Sequence, residues 1–177
     1  MLALTFGGRM VGQGMIRWVV MGVSGCGKST VGQALAQELD VPFVEGDAYH
    51  PPANVAKMSA GMPLDDDDRA GWLHALQTQI GEARERGTGL VLSCSALKRR
   101  YRDLLREADP ALRFAHLDGP RELIAERMRA RAGHYMPPSL LDSQLRDLEP
   151  LQDDEAGVLL DIGSAPARQV ARILGGR

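Results

Sequence analysis

Aromatic residues are scarce, at 5% of 177 residues, and there are only two cysteines, Cys26 and Cys94. Neither has a CxxC partner, so no disulfide framework is expected and a reducing, cytoplasmic compartment is. Charge of neither sign is in excess: 21 Lys and Arg face 23 Asp and Glu, for a net −2. There is no basic stripe interleaved with aromatics, so no nucleic-acid partner is expected. No apolar run is long enough to span a bilayer, so no membrane partner is expected either. Residues 1–15 hold one arginine and scattered glycines, and lack the apolar core and cleavage site of a signal peptide. They read as a disordered leader. Residues 16–177 read as one domain of ordinary globular composition, 44% hydrophobic and 25% charged.

Short apolar runs at 16–21, 42–45, 90–94, 114–117 and 158–162 read as strands. Between them, apolar residues recur at helical spacing: Val31, Leu35 and Leu39; Trp72, Leu73, Leu76 and Ile80; Tyr101, Leu104 and Leu105; Leu123, Ile124 and Met128; Leu141, Leu145 and Leu148; Val170, Ile173 and Leu174. A further short helix is expected over 53–59, after Pro51 and Pro52. The acidic run 65–68 sits where it offsets the positive end of the helix that follows. Strands that alternate with helices, and are apolar on both faces, predict a parallel sheet covered on both sides.

Residues 22–29, GVSGCGKS, fit GxxxxGK[ST] between a buried strand and a helix, the context that gives this pattern its meaning. Glycines let the backbone wrap phosphate oxygens, and the N–H groups with the helix N-terminus face the anion. Gly22, Val23, Ser24, Gly25, Cys26, Gly27, Lys28, Ser29 and Thr30 are the expected ATP-binding residues. Lys28 is expected to reach the β- and γ-phosphates, and Ser29 to ligate Mg²⁺ through its hydroxyl. Cys26 is expected to be a small loop filler.

Acceptor candidates lie at the C-terminal strand ends, where open parallel sheets hold ligands. Asp47 is placed to take the proton of an attacking hydroxyl, or to hold a Mg²⁺-bound water. A turn or helix cap is its bland alternative. His50 suits a hydrogen bond to a polyol, or faces solvent on a turn. Arg69 suits a substrate carboxylate, or pairs with the aspartates beside it. Lys98 follows the third strand and is expected to face a negative group. That strand carries no Asp, so the usual second acidic helper of Mg²⁺ is missing from its expected place. Arg127 and Arg131, four apart on one helical face, precede Gly133 and His134; they suit a lid over about 127–150 that neutralises the moving phosphoryl group. Residues 163–166 are placed to line the adenine.

Four blocks then stand together: MGVSGCGKST, GDAYHPPANVAKMSAGMPLDDDDRAGWL, CSALKRRYRDLLR and ARAGHYMPPSLLDSQLRDLEPL. In them the chain resembles the P-loop gluconate kinases, from about residue 19 to 162. The resemblance implies the P-loop NTPase fold of the nucleoside-monophosphate-kinase type, a five-stranded parallel sheet of order 2-3-1-4-5 with a mobile lid. It implies ATP and Mg²⁺, transfer of the γ-phosphoryl group to D-gluconate giving 6-phosphogluconate, and a homodimer. It implies Lys28, Asp47, Arg127 and Arg131 as catalytic residues, and Asp47, His50, Arg69, Lys98 and His134 as substrate contacts. The rival acceptor is shikimate. The rival class is a nucleotide-dependent regulator without turnover, against which Lys28 and the lid arginines speak.

Overall fold

The structure is a computed structural model and describes residues 15–131 and 137–175. Strands β1 (Arg17–Met21), β2 (Phe43–Glu45), β3 (Leu90–Ser93), β4 (Arg113–Asp118) and β5 (Gly157–Asp161) form one sheet, ordered β2-β3-β1-β4-β5. Every neighbouring pair is parallel. The helices are α1 (Lys28–Leu39), α2 (Pro52–Ser59), α3 (Asp66–Glu85), α4 (Arg99–Ala108), α5 (Arg121–Ala130), α6 (Leu141–Asp147) and α7 (Pro166–Gly175). The strand order is the one expected. It puts β1 at the centre, with Val19 paired between Leu92 and Phe114. The chain leaves β1 for β2 on one side of the sheet and later fills β4 and β5 on the other. A crevice opens at such a reversal, beyond the carboxyl ends of the strands.

The central strands are apolar because helices cover both their faces. Val19, Val20 and Met21 are fully buried, with Leu35, Leu76, Ile80, Leu92 and Phe114 packed in the same core. The two edges depart from the expectation of strands covered on both sides. All three residues of β2 are only half-buried, and Leu159 on β5 is 55% exposed. An edge strand has a neighbour on one side only, and composition alone does not reveal its place in the order. β5 also begins one residue earlier than expected, at Gly157, where a Cβ would lie 2.5 Å from the Phe114 carbonyl oxygen.

The acidic run does what was expected of it. The Asp65 carboxylate accepts from the Asp68 N–H at 2.8 Å, and the Asp68 carboxylate from the Asp65 N–H at 2.9 Å. This reciprocal cap satisfies two backbone donors at the start of α3. Asp66, Asp67 and Asp68 fill the first turn.

One buried ion pair fixes the return from α6 to β5. Arg102 and Glu155 are both fully buried, with Nε–Oε1 at 2.7 Å and Nη2–Oε2 at 2.8 Å. Arg102 Nη1 also donates to the carbonyls of Ala96 and Glu149, each at 3.0 Å. Burial alone would push the Glu155 carboxyl up; Arg102, the Gln152 N–H and Arg106 overcome it and hold the group at about 2. Satisfied on all sides, such a pair fixes geometry, whereas loss of one partner would strand a buried charge.

His116 on β4 is 1% exposed, and neither ring nitrogen has a hydrogen-bond partner among the described residues. Burial holds its pKa below the usual 6.5; Arg102 acts in the same direction, and Asp118 and Glu155 oppose it. In the unfolded chain the ring takes a proton at its ordinary value, while the folded ring resists. Stability is therefore full above 6.5 and falls as pH drops below it. Each pH unit costs up to about 1.4 kcal/mol until the folded ring protonates. Urea midpoints in the wild type should hold between about pH 7.5 and 6.5 and fall from about 6.5 to 5.5, and should fall less steeply in His116→Leu.

Candidate active site

The loop of residues 22–27 leaves β1 and enters α1. Gly22 has a φ of +143°, and a Cβ there would lie 2.6 Å from the Leu117 carbonyl oxygen and 2.7 Å from Cys26 Sγ. Only glycine fits, which is why the loop can curl tightly. Cys26 is 1% exposed and its thiol is pushed up, chiefly by burial. This is the filler role expected of it. Val23 is buried too, and its carbonyl accepts the Lys28 ammonium at 3.0 Å.

Three cavities meet along this loop. The first is lined by residues that include Ser24, Lys28, Asp47, His50, Arg69 and Trp72. The second is lined by Ser24, Gly25 and Gly27 to Thr30, with Asp47, Arg127 and Arg131. The third runs from Cys26, Thr30 and Val31 to Ile162, Ser164 and Pro166. Ser24, Lys28 and Asp47 belong to both of the first two. The first suits an acceptor, the second phosphates and the third a base. Of residues 163–166, Ser164 and Pro166 line this third cavity.

Glu45 is the group that the sequence reading missed. It ends β2, and its carboxylate accepts from the hydroxyls of Ser29 and Ser93. Ser93 Oγ in turn accepts from the Gly46 N–H at 3.1 Å. The carboxylate beside the loop thus comes from β2, and a serine stands at the tip of β3. Ser29 and Glu45 are the oxygen donors here that could hold a hard divalent cation. The one available signal was an acid closing a short apolar run directly before Gly46-Asp47. Gly46 is held close as well. A Cβ on it would collide with the Ser93 carbonyl, and its own carbonyl accepts the Trp72 indole N–H at 2.8 Å.

Arg69, on the first turn of α3, is 6% exposed and lines the acceptor cavity. Its partners are not the neighbouring aspartates. Nη1 donates to the Tyr101 hydroxyl at 3.0 Å and to Asp147 at 3.2 Å, and the guanidinium lies over the Tyr101 ring. Nε and Nη2 make no hydrogen bond among the described residues, so one edge of the guanidinium remains for an anion. His50 stacks on Trp72 with ring centroids 4.2 Å apart. Its pKa is lowered, first by burial and also by Arg69, with Asp47 opposing.

One expected residue stands elsewhere, a second differs in its place on the helix, and a third lies outside the described residues. Lys98 is not in the acceptor cavity; its ammonium pairs with Asp66 at 3.1 Å across the starts of α3 and α4. The negative group it faces is internal. Arg131 is not on a helical face with Arg127, because α5 ends at Ala130 and Arg131 is its extended cap. Both arginines still line the phosphate cavity, and Arg127 Nη2 is anchored on the Ile162 carbonyl at 2.8 Å. His134 is the third.

A second missed residue is Gln144 on α6, which is 8% exposed. Its Oε1 accepts the Ser24 N–H of the phosphate loop at 2.7 Å. Nothing local in the sequence marks it, because the two residues are 120 apart and only the fold joins them.

Known proteins resemble this chain over most of its length. The family described as an AAA domain matches residues 18–151. A gluconokinase of Gluconobacter oxydans (strain 621H) is 54% identical over 137 residues, 77% of each chain. Among solved structures, a gluconokinase from Sinorhizobium meliloti 1021 matches with TM-score 0.82 at 48% identity, covering 92% of this chain and 91% of that one. The unliganded structure of a sugar kinase from Janibacter sp. HTCC2649 matches with TM-score 0.87 at 47% identity, covering 91% and 93%.

Gln144→Ala removes the acceptor of a buried backbone donor. Urea denaturation of the nucleotide-free protein should show a loss of about 1–3 kcal/mol.

Proposed function

The chain belongs to the gluconokinase family, and we propose that it moves the γ-phosphoryl group of ATP onto the 6-hydroxyl of D-gluconate, giving 6-phospho-D-gluconate and ADP. One observation carries the reading. Ser24, Lys28 and Asp47 line both the phosphate cavity and the acceptor cavity. A phosphoryl group on one side and a hydroxyl on the other would meet at those three residues, so direct transfer needs no intermediate carrier.

In that frame the residues divide the work. The loop amides and Lys28 hold the phosphates. The acceptor hydroxyl forms a bond to the γ-phosphorus as the bond to the β–γ bridging oxygen breaks. Asp47 accepts the hydroxyl proton, and ADP leaves with the bridging oxygen. Arg127 and Arg131 offset charge on the moving group, as part of a lid over about 127–150. The free edge of Arg69 takes the gluconate carboxylate, and His50 takes an oxygen of the polyol chain. Shikimate, the rival acceptor, also bears a carboxylate; the family membership decides for gluconate.

Mg²⁺ fits the residues present. Among the described residues no group of three or more His, Cys, Asp or Glu could cage a metal. An ion that keeps waters and leans on substrate phosphates needs no such cage. Ser29 would hold it directly, and Glu45 would orient its water. When bound, it neutralises phosphate charge. Residues 16–177 then act as one domain. Cys26 and Cys94 are free and buried, which suits a reducing cytoplasm. No described helix is long and apolar enough to cross a membrane.

Lys28→Ala should lower gluconate-dependent ADP release by at least about 100-fold, with the circular dichroism spectrum unchanged. Turnover near the wild-type rate would overturn the phosphate-cradle role. The acidic pair separates by magnesium titration. Asp47→Asn should cut kcat by at least about 100-fold without moving the half-saturating Mg²⁺ concentration, the mark of a base. Glu45→Gln should raise that concentration by about tenfold. The reverse pattern would exchange the two roles.

A further inference from the structure

Asn54 lies on α2, is 4% exposed, and touches two groups. Its Nδ2 donates to the Asp68 backbone carbonyl at 2.8 Å and stands 3.5 Å from His50 Nδ1. A carbonyl oxygen can only accept. The atom facing it must therefore be the amide nitrogen, which settles how the Asn54 amide is turned. The other hydrogen of that nitrogen is left for His50 Nδ1, so this ring nitrogen must accept. A neutral imidazole in that position carries its proton on Nε2.

The rest of the surroundings agree. Trp72 stacks on the ring at an interplanar angle of 15° and fixes its plane. Burial and Arg69 favour the neutral form. His50 lines the acceptor cavity beside Asp47 and Arg69, and Nε2 makes no hydrogen bond among the described residues.

We infer that Asn54 is a positioning residue that holds His50 as a neutral donor, with its Nε2–H offered to an oxygen lone pair of the sugar acid. The inference rests on the reading of this cavity as the gluconate site. It divides the polar work there: Arg69 meets the carboxylate, His50 donates to a hydroxyl oxygen, and Asp47 remains to accept a proton. A site built around such a donor discriminates against analogues lacking the matching oxygen, because the N–H is then left unpaired.

The full chain labelled with ¹⁵N-histidine reports the tautomer directly, and the His50 signals are those missing from His50→Ala. At neutral pH the ring should be neutral, with Nε2 protonated and Nδ1 accepting. Kinetics supply the coupling. His50→Ala should raise the KM for gluconate about tenfold and leave the KM for ATP within about twofold. Asn54→Ala should raise the gluconate KM about three- to tenfold in the wild type and add nothing in the His50→Ala background. A ring protonated on Nδ1, a charged ring, or additive effects on KM would overturn the inference and leave the gluconate site standing. An unchanged gluconate KM in His50→Ala would overturn both. If Asn54→Ala does not fold, the wild-type spectrum decides alone.

Discussion

Glu45, at the tip of β2, places one carboxylate between a hydroxyl at the tip of β3 and one on the first turn of α1, and the site is arranged around it. β1 and β2 are not neighbours, since β3 lies between them. Something must therefore reach across β3 if the phosphate loop and the β2 turn are to act together. Ser93 at the tip of β3 joins the carboxylate on one side, and Ser29 joins it from the start of α1. Ser93 Oγ also accepts the Gly46 N–H, and the Trp72 indole N–H donates to the Gly46 carbonyl. The turn that carries Asp47 is thus held by its backbone, which leaves the side chain to face both cavities. A bond to an ionised acceptor is stronger than a neutral one, and stronger still away from bulk water.

Charge is sorted with similar economy. Lys98 is matched by Asp66, and the Tyr101 hydroxyl donates to the same carboxylate. Arg102 is consumed by Glu155 and by carbonyls. Arg69, by contrast, spends only Nη1 within the described protein. The open edge of the Arg69 guanidinium faces the acceptor cavity, where water or an anion can meet it. Its partner Asp147 moderates the charge and ties α3 to α6.

What the sequence disclosed was what neighbouring residues decide. The phosphate loop, the cap at Asp65 to Asp68 and the buried central strands all follow from local chemistry, and all were legible. The strand order was legible only through resemblance to a family. Glu45, Gln144 and Asn54 were not seen, because their meaning depends on partners brought from other strands and helices. Lys98 was misplaced for the same reason. Its chain position at a strand exit was right, but Asp66, 32 residues away, claims it. Arg131 shows a boundary error: one residue past the end of α5, helical spacing no longer predicts direction.

The acceptor cavity is also linked to the phosphate loop by packing. Met58 on α2, Leu64 before α3 and Leu140 before α6 form a small buried cluster of their own. Met58, Leu64 and Leu140 all line the acceptor cavity, as does Gln144, whose side chain holds the Ser24 N–H. A ligand that presses on this cluster therefore presses on the element that grips the loop. Packed side chains respond to such pressure by moving together, since close-packed interiors leave little room for independent adjustment. α6 therefore touches both the acceptor cavity and the Ser24 amide through one side chain, Gln144.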